Sequence, residues 1–334
     1  MTEPGNADRG TRHLVAPELL GGIDMFPVME VNDDLIRQIR LAPQNLTRIV
    51  SDAPLPPELA AVRCTERHIP GPDGAPDVRI VHYEPAVTPS GKSPAILDIH
   101  GGGYVMGMPE ASDRSHRAAV HTLGCAVVAV AYRLAPETRW PGAVEDCYAA
   151  LRWMHDNAEL LGIDRDRIAV TGSSAGGGHA ASLTMLARDR GDYAICFQYL
   201  HAPMLDDRTG SSRPAPANSG EFIWTPASNR YGWGALLGME PGGADVPQGA
   251  VPARAEDLSG LPPTLIIVGA LDLFVGEDID YARRLLDAGV PTELYVIPGA
   301  YHGFGLAGDT APQVAQTTRL SREALARAFA PKHS

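Results

Sequence analysis

The pentapeptide Gly172-Ser173-Ser174-Ala175-Gly176 follows the apolar run RIAVT and precedes the helix-forming stretch HAASLTMLARD. A serine at the turn from a strand into a helix forms a nucleophile elbow, with its hydroxyl exposed on a sharply bent backbone. Glycines at 172 and 176 remove the Cβ atoms that would collide where strand and helix pack closely. The helix N-terminus aims N–H groups at the reaction centre. A second glycine cluster, His100-Gly101-Gly102-Gly103, follows the strand-like run PAILDI. Bare backbone there lets N–H groups of the glycine run, with that of Ala175 as a third donor, surround a developing alkoxide as an oxyanion hole. His100 is expected to hold the loop by hydrogen bonds, not to react. A serine hydroxyl is a weak nucleophile at neutral pH and needs a base, which in turn needs an orienting acid. For an elbow of this kind the chain order is Ser, then Asp or Glu, then His. Asp272 follows the run TLIIVG, and His302 follows ELYVI. Both lie just past strand ends, on the same edge as Ser174, where open α/β sheets place their sites. Ser174, Asp272 and His302 are therefore the candidates for acyl transfer, with Glu277 as a substitute acid.

Each motif has a plainer reading. A G-x-S-x-G pentapeptide alone is a weak signal, and a triple glycine can be a flexible turn. GSSAGGG also resembles a phosphate-cradling loop, but it lacks the lysine of a P-loop and the G-x-G-x-x-G spacing. A single Asp or His after a strand is usually a cap or turn residue. Two correct residue types, in the correct order, after successive strands, outweigh these readings.

The elements that must position these residues are legible in the hydrophobic pattern. Strands are expected at 78–83, 95–100, 126–132, 167–172, 196–201, 264–269 and 293–297. Several are continuous apolar runs, such as AVVAVAY and TLIIVG, which fits strands covered on both faces of a mostly parallel sheet. Ala143, Cys147, Ala150, Leu151, Met154, Ala158 and Leu161 recur at helical spacing, as do Tyr281, Leu285, Leu286 and Ala288 before a stop at Gly289. Strand–helix alternation with short connections defines an α/β fold. Two segments stand outside it. Residues 1–61 hold helical patches, with Asn32 capping DDLIRQIRLA, separated by proline-rich joints. Residues 206–250 are rich in Gly, Pro and Ser yet carry Phe222, Trp224, Tyr231 and Trp233. This insertion reads equally as a surface excursion packed by its own aromatics or as a lid over the site. As a lid it would line a substrate pocket with those four aromatics and Gly103.

Composition bounds the function further. The 334 residues are 44% hydrophobic and 20% charged, enough for a large core, and the net charge is −12. Such a chain, without basic clusters, is a poor binder of phosphate backbones. No apolar stretch reaches the roughly 20 residues of a membrane span. The polar start MTEPGNADRGTRH lacks the apolar core of a secretory signal. Cys64, Cys125, Cys147 and Cys196 show no metal-like spacing and are expected as buried free thiols in a reducing cytoplasm. No metal or organic cofactor is implied.

Taken together, the chain resembles the bacterial hormone-sensitive-lipase-like (family IV) carboxylesterases of the α/β-hydrolase superfamily over residues 62–330. The matching elements are His100–Gly103, Tyr132-Arg-Leu-Ala-Pro-Glu137, Gly172–Gly177, Asp272 in GALDLFVGED and His302 in YHGF. The stretch AYRLAPETRWPGAVEDCYAAL is similar to actinobacterial heroin-esterase-type enzymes. The resemblance implies an α/β-hydrolase catalytic domain (62–205 and 251–334) with a helical cap from residues 1–61 and 206–250. It also implies Ser174, Asp272 and His302 as the triad, Gly101, Gly102 and Ala175 as oxyanion donors, and a small-molecule ester as substrate. Tyr132–Glu137 is then a structural signature, with Arg133 and Glu137 expected as an internal ion pair. A monomer or an edge-strand homodimer is implied, with no nucleic-acid or membrane partner. Three departures stand out: Ser173 replaces the usual elbow Asp, the D-P-L-x-D-E run reads Asp272-Leu-Phe-Val-Gly-Glu277, and the elbow glycines extend to Gly178. Lactone or amide hydrolysis would use the same triad. A receptor on this scaffold, such as the plant gibberellin receptors, lacks the catalytic His, which is present here.

Overall fold

The computed structural model describes residues 10–26, 28, 30–41, 54–87 and 91–331. Eight strands form one sheet: β1 (Arg63–Ile69), β2 (Val78–Glu84), β3 (Ser93–Ile99), β4 (Ala126–Ala131), β5 (Ile163–Ser173), β6 (Phe197–His201), β7 (Thr264–Gly269) and β8 (Thr292–Ile297). Their spatial order is β1-β2-β4-β3-β5-β6-β7-β8. The β1–β2 and β2–β4 pairs are antiparallel, and all the others are parallel. The helices are α1 (Leu20–Met25), α2 (Asp33–Leu41), α3 (Pro57–Ala60), α4 (Asp113–Leu123), α5 (Gly142–Asp156), α6 (Ala158–Leu161), α7 (Ala175–Arg190), α8 (Pro226–Leu237), α9 (Val275–Asp287) and α10 (Pro312–Ala328).

The continuous apolar runs are explained by coverage of both faces. Leu97, Val128, Val170 and Ile266 point to one side and pack with Leu151, Met154, Leu183 and Leu285 of α5, α7 and α9. Their chain neighbours Ile96, Val127, Ala169 and Leu265 point to the other and pack with Val120, Leu325 and Leu19. Alternate residues of a strand face opposite sides, so a strand buried twice must be apolar throughout.

All seven expected strands are present. β1 is the addition, and its sequence RCTERHI concealed it: only Ile69 is buried, so no apolar alternation marks this edge. The helical stretch from 143 to 161 divides into α5 and α6. In α9, Tyr281 and Leu285 are buried but Leu286 is 56% exposed. Its stop at Gly289 is borne out by a left-handed φ of 78°. Asn32 caps α2 as expected, its Oδ1 accepting the Leu35 N–H at 3.0 Å. Cys125 and Cys147 are buried, whereas Cys64 is exposed on the edge strand. Residues 1–9 and 42–53 of the N-terminal segment lie outside the described residues.

A third apolar cluster lies beyond the sheet. Val31 and Ile36 from the N-terminal segment, and Trp224, Trp233, Leu236 and Leu237 from the 206–250 insertion, pack with Tyr104, Val105, Ala175, Leu273 and Phe274. The insertion thus contributes a helix, α8, capped by the Thr225 hydroxyl accepting the Ser228 N–H at 3.2 Å. It joins α2 directly: Val31 N–H donates to Ser228 Oγ at 3.1 Å, and Tyr231 OH to Asp33 Oδ1 at 2.6 Å.

Candidate active site

Ser174 sits between β5 and α7 with φ 55° and ψ −123°, a conformation that non-glycine residues adopt only where the surroundings impose it. The imposing contacts are visible. Its N–H donates to the His201 carbonyl at 2.9 Å, and its own carbonyl accepts from Met204 N–H at 2.9 Å and Gly178 N–H at 3.1 Å. A Cβ at Gly172 would come within 2.2 Å of the Gly176 carbonyl oxygen, and one at Gly176 within 2.0 Å of the Ile99 carbonyl oxygen. A Cβ at Gly177 would stand 2.8 Å from Pro203 Cβ, and one at Gly178 2.3 Å from the Met204 carbonyl oxygen. The extended glycine run therefore serves tight packing of the helix against the sheet and leaves no extra room. Ser173 is exposed beside the nucleophile.

His302 reaches Ser174 from the turn after β8, its Nε2 3.0 Å from Ser174 Oγ. Its Nδ1 lies 2.9 Å from Asp272 Oδ2. An ionised carboxylate only accepts, so Nδ1 carries the proton and Nε2 is free to take one from the serine. Asp272 is completely buried, and its Oδ1 accepts the Phe274 N–H at 3.0 Å. That bond holds the carboxylate on its turn although the usual proline there is Leu273. The Phe274 ring meets His302 edge-on at 5.1 Å. Ser174, Asp272 and His302 are thus brought together in one relay.

Glu277 is not part of it. Its carboxyl accepts N–H groups from Leu205 at 2.7 Å and Asp206 at 3.1 Å, and the Thr209 hydroxyl. Burial, only partly offset by these bonds, raises its pKa well above the usual carboxylate range. The expectation of a substitute acid is corrected: this side chain closes the turn after β6.

The glycine loop after β3 folds back against the elbow, where a Cβ on Gly101 would stand 3.3 Å from Ser174 Cβ. Across a trans peptide the C=O of one residue and the N–H of the next point in opposite directions. Tyr132 OH donates to the His100 carbonyl at 2.9 Å, which fixes the opposed N–H of Gly101. His100 Nδ1 donates to the Gly101 carbonyl at 2.8 Å, which fixes the N–H of Gly102. Burial pushes the His100 imidazole down to about 4, so it stays neutral, and it stacks on Tyr132 with ring centroids 4.2 Å apart. Ala175 opens α7, and the first N–H groups of a helix have no partner within it.

Asp98, one strand position before Ile99, ties β3 to its neighbours. It accepts from His116 Nε2 at 2.8 Å and from Thr171 Oγ1 at 2.5 Å, joining β3, β5 and α4. Burial opposes its charge, but His116 and these bonds outweigh it and lower its pKa. Nothing in the local sequence singled out this network, because Asp98 interrupts an apolar strand without any motif.

The candidate pocket residues separate. Trp224 stands against Gly103, where a Cβ would fall 2.0 Å from its ring, and 6.4 Å from the His302 ring centre. Its indole N–H donates to Asn229 Oδ1 at 3.2 Å, and Asn229 in turn donates to the Thr209 carbonyl. Phe222 packs on Tyr301 in the second apolar cluster. Trp233 is fully buried against Tyr104 and belongs to the core. Tyr231 points its hydroxyl at α2. The expected Arg133–Glu137 ion pair is also corrected. Arg133 donates to Asp146, a completely buried carboxylate, at 2.7 and 2.8 Å, while Glu137 pairs with Arg40 of α2.

The arrangement can activate a serine and receive an oxyanion. The chain belongs to the α/β-hydrolase fold family, whose model matches residues 96–306. Among solved structures it is similar to the Bacterial Heroin Esterase, with 39% identity, a TM-score of 0.88, and coverage of 96% of this chain and 100% of that one. Among characterised proteins it is 35% identical to Esterase LipI of Mycobacterium tuberculosis, covering 93% of this chain and 94% of that protein. It is 34% identical to the Ethyl acetate hydrolase of Pseudomonas putida over 73% of this chain and 76% of that protein. The resemblance read from the motifs is borne out at the level of the family. No described helix is long and apolar enough to cross a membrane.

Proposed function

We propose that this chain is a serine carboxylesterase acting on short- to medium-chain acyl esters. The observation that carries the reading is the continuous relay Ser174 Oγ, His302 Nε2, His302 Nδ1, Asp272 Oδ2, with links of 3.0 and 2.9 Å. In acylation His302 takes the Ser174 proton as Oγ attacks the ester carbonyl. The N–H groups of Gly101, Gly102 and Ala175 receive the oxyanion, each worth about 3 kcal/mol in the transition state. His302 then protonates the departing alcohol. In deacylation it removes a proton from water, whose oxygen attacks the acyl-serine, and returns that proton to Ser174 as the carboxylic acid leaves. Asp272 holds the tautomer and stabilises the imidazolium. The described N-terminal segment and the 206–250 insertion form a cap, a reading supported by their shared cluster with Tyr104 and Phe274. Trp224 at Gly103 supports a limited acyl length.

Ser174→Ala is expected to lower kcat/KM for p-nitrophenyl butyrate by more than about 10⁴-fold with an unchanged circular-dichroism spectrum. Undiminished turnover in that variant would sink the assignment. A fluorophosphonate probe is expected to label Ser174 in the wild type, which a pure binding protein would not allow.

A further inference from the structure

Arg40, near the end of α2, reaches out of the N-terminal segment into the glycine loop. Its Nε and Nη2 donate to the Val105 carbonyl at 3.0 and 2.7 Å, and Nη2 donates to the Ala135 carbonyl at 2.6 Å. Glu137 accepts both of its bonds from Nη1, at 2.7 and 2.8 Å, and so fixes the guanidinium plane. Ile36, one turn earlier on the same face of α2, is 4% exposed in the cluster that contains Val105 and Ala135. The helix is thus seated by an apolar anchor and a forked donor.

The carbonyls that Arg40 holds belong to a loop with little support of its own. Gly102, Gly103, Tyr104 and Gly107 all have positive φ, so no regular ladder satisfies the backbone between them. The loop closes on itself through Val105 and Met106 N–H groups, which both donate to the Gly102 carbonyl at 3.1 and 3.0 Å. Ala135 N–H donates to the Tyr104 carbonyl at 3.0 Å. The Val105 carbonyl and the Met106 N–H share one peptide plane and point in opposite directions. A donor that orients the Val105 carbonyl therefore aims Met106 N–H at Gly102. Val105 and Ala135 are 0% and 1% exposed, so loss of Arg40 would leave two buried carbonyls short of their donors.

We propose that Arg40 is a positioning residue for the oxyanion hole. Through Val105, Met106 and Ala135 it holds the Gly102 carbonyl and the fold of the glycine loop, and so keeps the Gly101 and Gly102 N–H groups, which Tyr132 and His100 orient, at the geometry the transition state needs. The inference rests on the serine-esterase reading and assigns part of that site's precision to the N-terminal segment. Lysine cannot replace the fork, since its three N–H donors radiate from one nitrogen and do not span two carbonyls and a carboxylate as the planar guanidinium does.

The test uses full-length protein with p-nitrophenyl butyrate. Arg40→Ala is expected to lower kcat by about 10- to 100-fold, the order of effect of misplacing a catalytic group by a fraction of an ångström to an ångström, with KM changed less than about threefold. Arg40→Lys, which keeps charge and stem, is expected to lose about three- to tenfold in kcat, and it serves if the alanine variant fails to fold. Inhibition by an alkyl boronic acid, which mimics the tetrahedral adduct, is expected to weaken in proportion to kcat/KM. Asp33→Ala, which loosens α2 from Tyr231 without touching the loop, is expected to keep kcat within about twofold. Four results would overturn the inference: unchanged kcat in Arg40→Lys, a loss expressed mainly in KM, boronate affinity that does not follow the loss, or an equal loss in Asp33→Ala. Wild-type protein that resists labelling at Ser174 would instead overturn the esterase reading, so the two failures are distinct.

Discussion

Trp224 is a side chain of the insertion that stands against Gly103 and beside His302. Its ring fills the space a Cβ would need at Gly103 and faces His302, while Asn229 holds its indole N–H. The preceding Ile223 has a φ of 63°, an outlier for a β-branched residue, and this bend delivers the ring. Trp224→Ala is expected to raise the octanoyl-to-acetyl ratio of kcat/KM by about tenfold, within the range that a few methylenes of pocket space command. Parallel progress curves with the two p-nitrophenyl esters measure it; an unchanged ratio would place the acyl chain elsewhere. Ser174, Asp272 and His302 were legible as residues because their order and their positions after strands are sequence properties. Trp224 was legible only as one of four aromatics. Which of the four faced the site depended on φ at Ile223 and on partners at 209 and 229, which no local pattern encodes.

At the scale of elements, the β5–Ser174–α7 unit is set by how near a helix may come to a sheet. Gly176→Ala would push a methyl into the Ile99 carbonyl, 2.0 Å from the built position. The expected cost is about 1–3 kcal/mol of stability, the range of overpacking in a tight interior, read from the urea midpoint. Displacement of the elbow is expected to cost about 10²-fold in kcat/KM as well. A variant with wild-type stability and rate would contradict the packing argument. Of the seven strands legible in the hydrophobic pattern, six are interior, where burial on both faces favours unbroken apolar runs, and the seventh, β8, is the far edge. β1 was not legible, because its exposed side chains carry Arg63, Glu66 and Arg67, and only its pairing with β2 makes it a strand. Arg133 and Glu137 show the same division. Both lie in one recognisable motif, yet they do not pair with each other: Arg133 meets Asp146 on α5, 13 residues on, and Glu137 meets Arg40 on α2, 97 residues back.

Over the whole molecule, buried ionisable groups set how stability varies with pH. Burial lowers His100 and His201 to about 4 and His179 to about 3. The unfolded chain, with histidines near 6.5, takes up protons first, so folding weakens as pH falls from about 6.5 toward 4. Asp278 acts in the other direction. It is completely buried, and neither carboxyl oxygen has a hydrogen-bond partner among the described residues. Burial, reinforced by the charges of Glu277 and Asp272, raises its pKa well above the usual range. Below about pH 3.9 the folded and unfolded states both hold this proton. Above that pH only the folded state retains it, so stability falls as pH rises toward the folded pKa. Asp278→Asn removes this penalty without altering the histidines. Its Tm is expected to match the wild type near pH 4 and to exceed it by a margin that widens toward pH 8, by differential scanning fluorimetry across buffers. A constant difference would mean that Asp278 does not titrate between the two states.

The sequence by itself determined the strand–helix alternation, the elbow glycines, the glycine loop and the order Ser174, Asp272, His302. These follow from local constraints: burial of both strand faces, the absence of Cβ where backbones touch, and the reach of a turn beyond a strand end. Tertiary structure alone decided which partners completed them. Asp98 with His116 and Thr171, Tyr132 with His100, and Arg40 with Val105 and Ala135 join groups 18 to 95 residues apart. A buried carbonyl or carboxylate must be satisfied by whatever donor the fold brings within about 3 Å. That donor is fixed by how the sheet, the N-terminal helix and the insertion pack, and its position in the chain leaves no periodic trace.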